Sequence, residues 1–252
     1  MPTALVTGAS SGIGAAFARR LSADGYDVIA VARRQGRLEA LKAEGCASEI
    51  VVADLADAAD CLQVEERLAA GGIDLLVNNA GVGVGKGFEH STVDEEDRML
   101  ALNVRALMRL THASLPQMLA AKSGQILNVG SVAAFTGAVG FASYSASKAY
   151  VVAFSESLAI RYAGRGVTVM ALCPGYVRTE MHDAAATPHT GLTARLMWLD
   201  ADQLVDYALR DLRRGKVIST PGAVYKATVA TTKLVPRRLL AVAGRFANRD
   251  GQ

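Results

Sequence analysis

Short, β-branched apolar runs alternate along the chain with segments whose apolar residues recur every three or four positions. The runs at 4–7, 27–32, 49–52, 73–77, 125–129 and 167–172 are almost continuously apolar and predict buried strands. Helical periodicity occupies 13–23, closed by Gly25, then 37–44, closed by Gly45, and 58–70, closed by Gly71 and Gly72. Glycine just past the last periodic residue stops a helix because it enters the left-handed conformation at little cost. Thr92 followed by Glu95 has the spacing of a capping box and predicts the start of another helix. A helix over about 143–162 precedes the sixth strand, and a short seventh strand is predicted at 216–219. Strands buried on both faces and separated by helices predict an α/β doubly wound parallel sheet of about seven strands, with helices on both faces. Such sheets bind ligands beyond the carboxyl ends of their strands, so chemistry is sought there.

With 252 residues, 51% of them hydrophobic, the chain has material for one well-buried domain, and a single domain over 1–252 is expected. Within it, the stretch at about 179–199 breaks helical period at Pro188 and Gly191 and reads as an irregular substrate loop, either a lid or a surface excursion. A net charge of +3, from 27 basic and 24 acidic residues, is too small to indicate a nucleic-acid binder. Three widely spaced cysteines, Cys46, Cys61 and Cys173, give neither a disulfide framework nor a zinc spacing and fit a reducing compartment. The first residues run straight into a strand with no signal-peptide pattern, and no run approaches the ~20 apolar residues of a membrane span. A soluble, cytoplasmic protein is expected, without a metal site.

Thr7-Gly8-Ala9-Ser10-Ser11-Gly12-Ile13-Gly14 joins the first strand to the first helix. Gly8 permits the sharp turn, while Gly12 and Gly14 allow a pyrophosphate and the sheet to approach the backbone. Amide groups at the helix start, including those of Ser10, Ser11, Gly12 and Ile13, would then hold phosphate. The spacing is Gly-x-x-x-Gly-x-Gly rather than the commoner Gly-x-Gly-x-x-Gly. At the end of the second strand stand Arg33 and Arg34 where an acidic residue would select an unphosphorylated ribose. Guanidinium groups suit a 2′-phosphate, which points to NADP(H) rather than NAD(H). Asp54-Leu55 after the third strand reads as an adenine-edge contact, as a helix N-cap, or as both. Asn78-Asn79-Ala80-Gly81 ends the fourth strand with small residues where a cofactor backbone fits; capping of the strand end is the structural reading of Asn78.

Tyr144 and Lys148 stand one helical turn apart and share a helix face. A cation beside a phenol favours the phenolate, so Lys148 would lower the Tyr144 pKa and make it a general acid/base. Taken with the Thr7–Gly14 turn, Asn78–Gly81, Asn103, Ser131 and Pro174-Gly175, in that order and spacing, the chain resembles the short-chain dehydrogenases/reductases in their compact single-domain form. The resemblance covers roughly residues 3–220. It implies a Rossmann-like fold and a catalytic tetrad of Asn103, Ser131, Tyr144 and Lys148. Tyr144 would protonate a carbonyl oxygen or deprotonate a hydroxyl, with Ser131 bonding the same oxygen. Lys148 would also bind the nicotinamide ribose, and Asn103 would support a water relaying protons from Lys148. The resemblance further sets Pro174, Gly175, Val177 and Thr179 against the nicotinamide. The implied activity is NADP(H)-dependent interconversion of a carbonyl and an alcohol. The alternative is a non-catalytic dinucleotide sensor that regulates a partner, which would need the glycine turn but not Tyr144 and Lys148.

No residue identifies the substrate. Phe135, Phe141, Tyr176, Met181, Met197 and Trp198 read either as an apolar pocket above the cofactor or as ordinary packing. His182 and His189 read as surface residues. Ala142, Ala146, Ala149 and Ala153 form a small-residue stripe that admits a close helix neighbour, internal or from another subunit. The family often pairs this helix between subunits, so a homodimer or homotetramer is expected. The tail over about 223–252 is basic, with Lys226, Lys233, Arg237, Arg238, Arg245 and Arg249 and an apolar set from Leu234 to Phe246 around a helix start near Pro236. Packing against the protein is favoured for it over contact with a membrane surface.

Overall fold

The computed structural model describes residues 1–136, 141–178 and 198–234, with the side chains of 233 and 234 excepted. Strand β1 (Thr3–Thr7) lies between β2 (Asp27–Ala32) and β4 (Leu75–Asn78) in a sheet completed by β3 (Glu49–Val52), β5 (Gly124–Val129), β6 (Val167–Leu172) and β7 (Ile218–Ser219). The order is β3-β2-β1-β4-β5-β6-β7 and every pairing is parallel. The chain winds one way from β1 and the other way from β4, which opens a crevice between their carboxyl ends.

Alternate residues of each strand feed two cores, as the two-residue period of a strand requires. Ala4, Val6, Val28, Ala30, Leu75, Val77, Met170 and Leu172 face one helical layer, made of α1 (Gly12–Ala23), α2 (Gln35–Ala43) and α8 (Ala201–Arg213). Leu5, Ile29, Val31, Leu76, Ile126 and Val169 face the other, with α3 (Ala58–Ala69) and α5 (Leu107–Ala121). The predicted α/β doubly wound architecture is therefore the observed one. Between α3 and α5 run α4 (Val93–Leu100) and a π-helical segment, Ala101–Ala106; after β5 come a short α6 (Ala133–Thr136) and the long α7 (Ala142–Tyr162). The chain described ends in α9 (Ala223–Leu234). Among the described residues, no helix is long and apolar enough to cross a membrane.

The predicted elements meet the observed ones within a residue or two, and the differences have local causes. β4 starts at Leu75 rather than 73, because Ile73 exchanges its backbone bonds with the Gln117 side chain, 3.4 Å each way, instead of a strand neighbour. The seventh strand is reduced to Ile218–Ser219, where the Ser219 hydroxyl donates to buried Asp211 at 2.7 Å. The capping box is formed as predicted, with Thr92 and Glu95 each bonding the other's backbone N–H. Asp54, read as a possible N-cap, does not cap α3; Asp57 does, accepting from Ala59 and Asp60. In the tail, the helix start expected near Pro236 lies outside the described residues, and α9 spans Ala223–Leu234. Its Tyr225 is 4% exposed and accepts the Tyr176 backbone N–H at 3.0 Å. This part of the tail packs on the protein, while residues 235–252 lie outside those described. So does most of the irregular loop, with Thr179, Met181, His182, His189 and Met197.

The Tyr225 ring lies on Gly175, where an added Cβ would stand 1.9 Å from the ring carbon Cζ. Gly175→Ala should therefore displace α9 and lower stability by about 2–3 kcal/mol, at the upper end of overpacking costs. Thermal or urea unfolding measures this, and a Gly175→Ala protein of unchanged stability would show that the ring is not seated there.

Candidate active site

Thr7, at the carboxyl end of β1, is 1% exposed and organises the start of the crevice. Its hydroxyl donates to Val77 O at 3.3 Å and accepts from the backbone N–H groups of Asn79 at 2.9 Å and Ala80 at 3.0 Å. The Asn79 amide in turn donates to Thr7 O at 2.8 Å. Asn79 and Ala80 thus brace the glycine turn from behind. The turn itself requires glycine: Gly8 and Gly12 have φ of 68° and 53°, and a Cβ on Gly14 would lie 2.2 Å from Gly8 O. No side chain caps α1 and no acid occupies its first turn, so its N-terminus presents backbone amides to an anion. Arg34 donates to Ser10 at 3.1 Å and, closely, to Ser11. Arg33 stands 3.7 Å from the Asp54 carboxylate, which also receives Arg98. A glycine cradle, uncapped amides and arginines at the end of β2 together fit a phosphate-bearing dinucleotide.

The π-helical segment puts Asn103 across the crevice from this turn. A π turn holds one extra residue per turn and commonly marks a functional position. Asn103 is 1% exposed and fully engaged: Nδ2 donates to Val82 O at 2.8 Å and to Ser147 Oγ at 3.2 Å, and Oδ1 accepts Val82 N–H at 2.9 Å. Ser147 Oγ donates onward to Tyr144 O at 2.7 Å. Gly81 lies between, and a Cβ there would meet Asn103 Oδ1 and Lys148 Nζ at 3.1 Å each. Ser131, just past β5, accepts the Ala133 N–H at 3.2 Å and is hydrogen-bonded to Tyr144. Lys148 is buried, donates to Val129 O at 2.9 Å and lies 5.7 Å from the centroid of the Tyr144 ring.

The electrostatics of the site differ from the expectation for Tyr144. Burial raises its phenol above the ordinary value of 10.0, and the Ser131 hydrogen bond offsets this only in part. Lys148 is itself desolvated, and burial lowers its ammonium from 10.5 to about 8. The neighbouring Cys173 thiol is pushed up to about 12 by burial, against the pull of Lys148. Among the described residues no group of His, Cys, Asp and Glu is placed to hold a metal ion.

The sequence matches the model of the short chain dehydrogenase family over residues 2–189. The chain belongs to that family. It is 39% identical over 185 residues to an uncharacterized oxidoreductase of Myxococcus xanthus, covering 71% of this chain and 73% of the relative. It is 35% identical over 189 residues to the 3-oxoacyl-(acyl-carrier-protein) reductase FabG of Staphylococcus aureus, covering 72% of this chain and 77% of the relative. Among solved structures, a short-chain dehydrogenase from Sphingobium yanoikuyae in complex with NADPH superposes with a TM-score of 0.83 at 35% identity, covering 100% of this chain and 96% of that one. A bulky-bulky ketone specific alcohol dehydrogenase from Comamonas testosteroni gives 0.80 at 31% identity, covering 93% and 92%. The protein is thus an enzyme of the short-chain dehydrogenase oxidoreductases.

Asn103, Ser131, Tyr144 and Lys148 converge at one end of the crevice. At the other stand the turn from Gly8 to Gly12 with Ser10 and Ser11, Arg33, Arg34 and Asp54, while Ile13 packs on the α1-side core and Gly14 is buried against Gly8. Leu55 is 4% exposed and its side chain is in the α3–α5 core. Val177 is buried and bridges Leu199, and Pro174 O accepts the Val132 N–H at 3.0 Å. Of the suggested pocket residues, Phe135 packs with Val152, Ala171 and Cys173, and Trp198 packs on Tyr176 at 5.4 Å between ring centroids. Phe141 instead lines a small cavity with Val84, Phe88, Met99 and Tyr144. Sequence reasoning missed Ser147 and Arg98, whose roles depend on contacts between distant segments. It also missed the buried network beneath the site, in which Asn78 donates to Thr111 at 3.0 Å and Asn128 at 2.9 Å, and Asn128 to Ser155 at 2.9 Å.

Lys148 makes stability depend on pH. Its folded-state pKa of about 8 lies below the ordinary 10.5, so the unfolded chain holds more protons between these values and stability rises with pH across them. Below pH 8 the full penalty of charging a buried lysine applies, on the order of 3 kcal/mol. Lys148→Met in the cofactor-free protein should therefore be more stable than the parent at pH 7, with the advantage shrinking toward pH 10. The parent–variant difference isolates Lys148, because the buried thiols of Cys61 and Cys173 act in the opposite direction above pH 9. Denaturant unfolding at several pH values measures it, and a constant difference would contradict a desolvated ammonium.

Proposed function

We propose that this chain is an NADP(H)-dependent oxidoreductase that interconverts a carbonyl and an alcohol, with Tyr144 as the general acid/base. The observation that carries the reading is the convergence of Tyr144, Ser131, Lys148 and Asn103 at the crevice whose other end holds the glycine turn and two arginines. When bound, NADP(H) supplies or accepts the hydride. The Sphingobium relative, solved with NADPH, supports the phosphorylated cofactor, as do Arg33 and Arg34 beside Ser10 and Ser11.

The residues divide the remaining work. The raised pKa of Tyr144 keeps its hydroxyl protonated at neutral pH, as a proton donor to a carbonyl oxygen requires. Ser131, bonded to Tyr144, offers a second hydroxyl to the same oxygen and stabilises the charge that develops on it. A lysine with a pKa of about 8 gains and loses its proton near physiological pH, which suits Lys148 to resupply Tyr144. Asn103 fixes the segment through Gly81 and Val82 against which the reacting groups lie, and through Ser147 it holds the backbone of Tyr144 itself. Val84, Phe88, Met99 and Phe141 stand beside Tyr144 together with Lys86, Glu96 and Ser143, and the apolar members of this set support an apolar carbonyl substrate. The three free cysteines suit a cytoplasmic location.

The alanine stripe of α7 supports a homodimer or homotetramer. Ala142, Ala146, Ala149 and Ala153 are all exposed and not covered by any described element, which leaves them open to the same helix of a second copy.

NADPH oxidation against ketones, aldehydes and acyl-chain carbonyls tests the activity. Tyr144→Phe should reduce kcat at least a hundredfold, the lower range of general acid catalysis, with little change in NADPH affinity. Undiminished turnover by that variant on a substrate used by the parent would remove Tyr144 from the mechanism. Light scattering should give a mass two or four times that of the chain, and a monomer mass independent of concentration would refute the assembly.

A further inference from the structure

The α4 helix sends Arg98 to the adenosine end of the crevice, where nothing in the glycine turn or in β2 predicts it. A cleft of about 180 Å³ lies there, lined by Arg33, Asp54, Ala56, Gly83, Arg98 and Leu102 among others. Asp54 and Glu95 are the acids among the lining residues; Glu95 is already held by Lys86 at 2.8 Å and by the Thr92 backbone N–H at 2.8 Å, which leaves Asp54 as the acid beside Arg33. One carboxylate oxygen accepts the Ala56 N–H at 3.1 Å; the other is bonded closely by Arg98 and lies 3.7 Å from Arg33. That last distance is too long for a hydrogen bond, so Arg33 is associated with Asp54 by charge alone. Arg105, from the π-helical segment, fixes the same loop by donating to Ala56 O at 2.6 Å.

We propose that Arg98 is a specificity-determining residue for the cofactor 2′-phosphate; the inference rests on the NADP(H) reading above. A carboxylate at this end of the crevice repels a phosphate and attracts Arg33, which the phosphate needs. Arg98 neutralises Asp54 from the opposite wall. The donor fork of Arg33 then remains directed to phosphate oxygens while Asp54 keeps its place in the loop. Arg98 therefore acts on the choice between NADPH and NADH through Asp54. Its effect should vanish when the carboxylate is removed.

Fluorescence titration of bound NADPH and NADH, with calorimetry of 2′,5′-ADP and 5′-ADP, tests this without turnover. Arg98→Met should weaken NADPH and 2′,5′-ADP about fivefold relative to NADH and 5′-ADP, the size expected for a partly exposed ion pair. Arg98→Lys, which retains the charge, should keep most of the preference and guards against a folding defect. Adding Asp54→Asn to Arg98→Met should restore most of the lost preference. Equal weakening of both cofactors, or no rescue by Asp54→Asn, overturns the role given to Arg98. If the parent prefers NADPH and loses that preference with Arg33→Ser but not with Arg98→Met, the NADP(H) reading stands and Arg98 has no part in it. If the parent itself shows no preference for NADPH and 2′,5′-ADP, the cofactor reading fails and this inference with it.

Discussion

A single buried hydroxyl ties the two halves of this molecule together. Thr7 Oγ1 bonds the end of β4 and the two backbone amides after it, at the point where the winding of the sheet reverses. Two neighbouring parallel strands diverge at their carboxyl ends once their helices leave in opposite directions, and something must hold the gap at a fixed width. From Thr7 the connection continues without interruption. Residues 79–82 follow, Asn103 grips Val82 from both sides, Ser147 receives Asn103, and Tyr144 receives Ser147. The glycine turn and the backbone of Tyr144 are thereby joined by hydrogen bonds through buried or partly buried groups, which are stronger and better directed than the same bonds in water.

The charges follow a division of the same kind. At the phosphate end, the arginines are exposed and held by hydroxyls or by a carboxylate. At the other end, Lys148 is buried with a carbonyl oxygen as its hydrogen-bond acceptor and, among the described residues, no carboxylate in a salt bridge with it. An ammonium in that position is destabilising to the fold, which fits the proton-transfer role proposed for Lys148. On the proposed function, one end of the crevice binds charge and the other end moves it.

Strand composition, glycine stops and the capping box were enough to read the sheet, because parallel strands buried on both faces are nearly uniform in apolar residues. The glycine turn was legible for a similar reason: positive φ and the close approach at Gly14 leave few alternatives to glycine. Tyr144 and Lys148 were legible as a pair because helical spacing alone brings them together. The direction of the Tyr144 pKa was not, since spacing registers the nearby cation but not the loss of water, which dominates here. Ser147, Arg98 and Thr111 were hidden for another reason. Each acts on a partner more than thirty residues away in sequence, at separations that no local pattern encodes. α8 and α9 escaped because they follow an irregular stretch, and Asp200 caps α8 with no second signal to mark it.

The π-helical turn at Ala101–Ala106 also fixes the phase of everything after it. One residue added to a helix rotates the following side chains by roughly 100°. α5 has Leu110, Leu115 and Met118 in the core only because the extra residue is present. Removing one residue from this turn would withdraw Asn103 from Val82 and, in the same step, swing the apolar face of α5 away from β5. The length of this segment is therefore constrained twice, once by the bonds of Asn103 and once by the packing of α5. Substitutions here can be tried one side chain at a time, whereas a deletion cannot separate the two constraints.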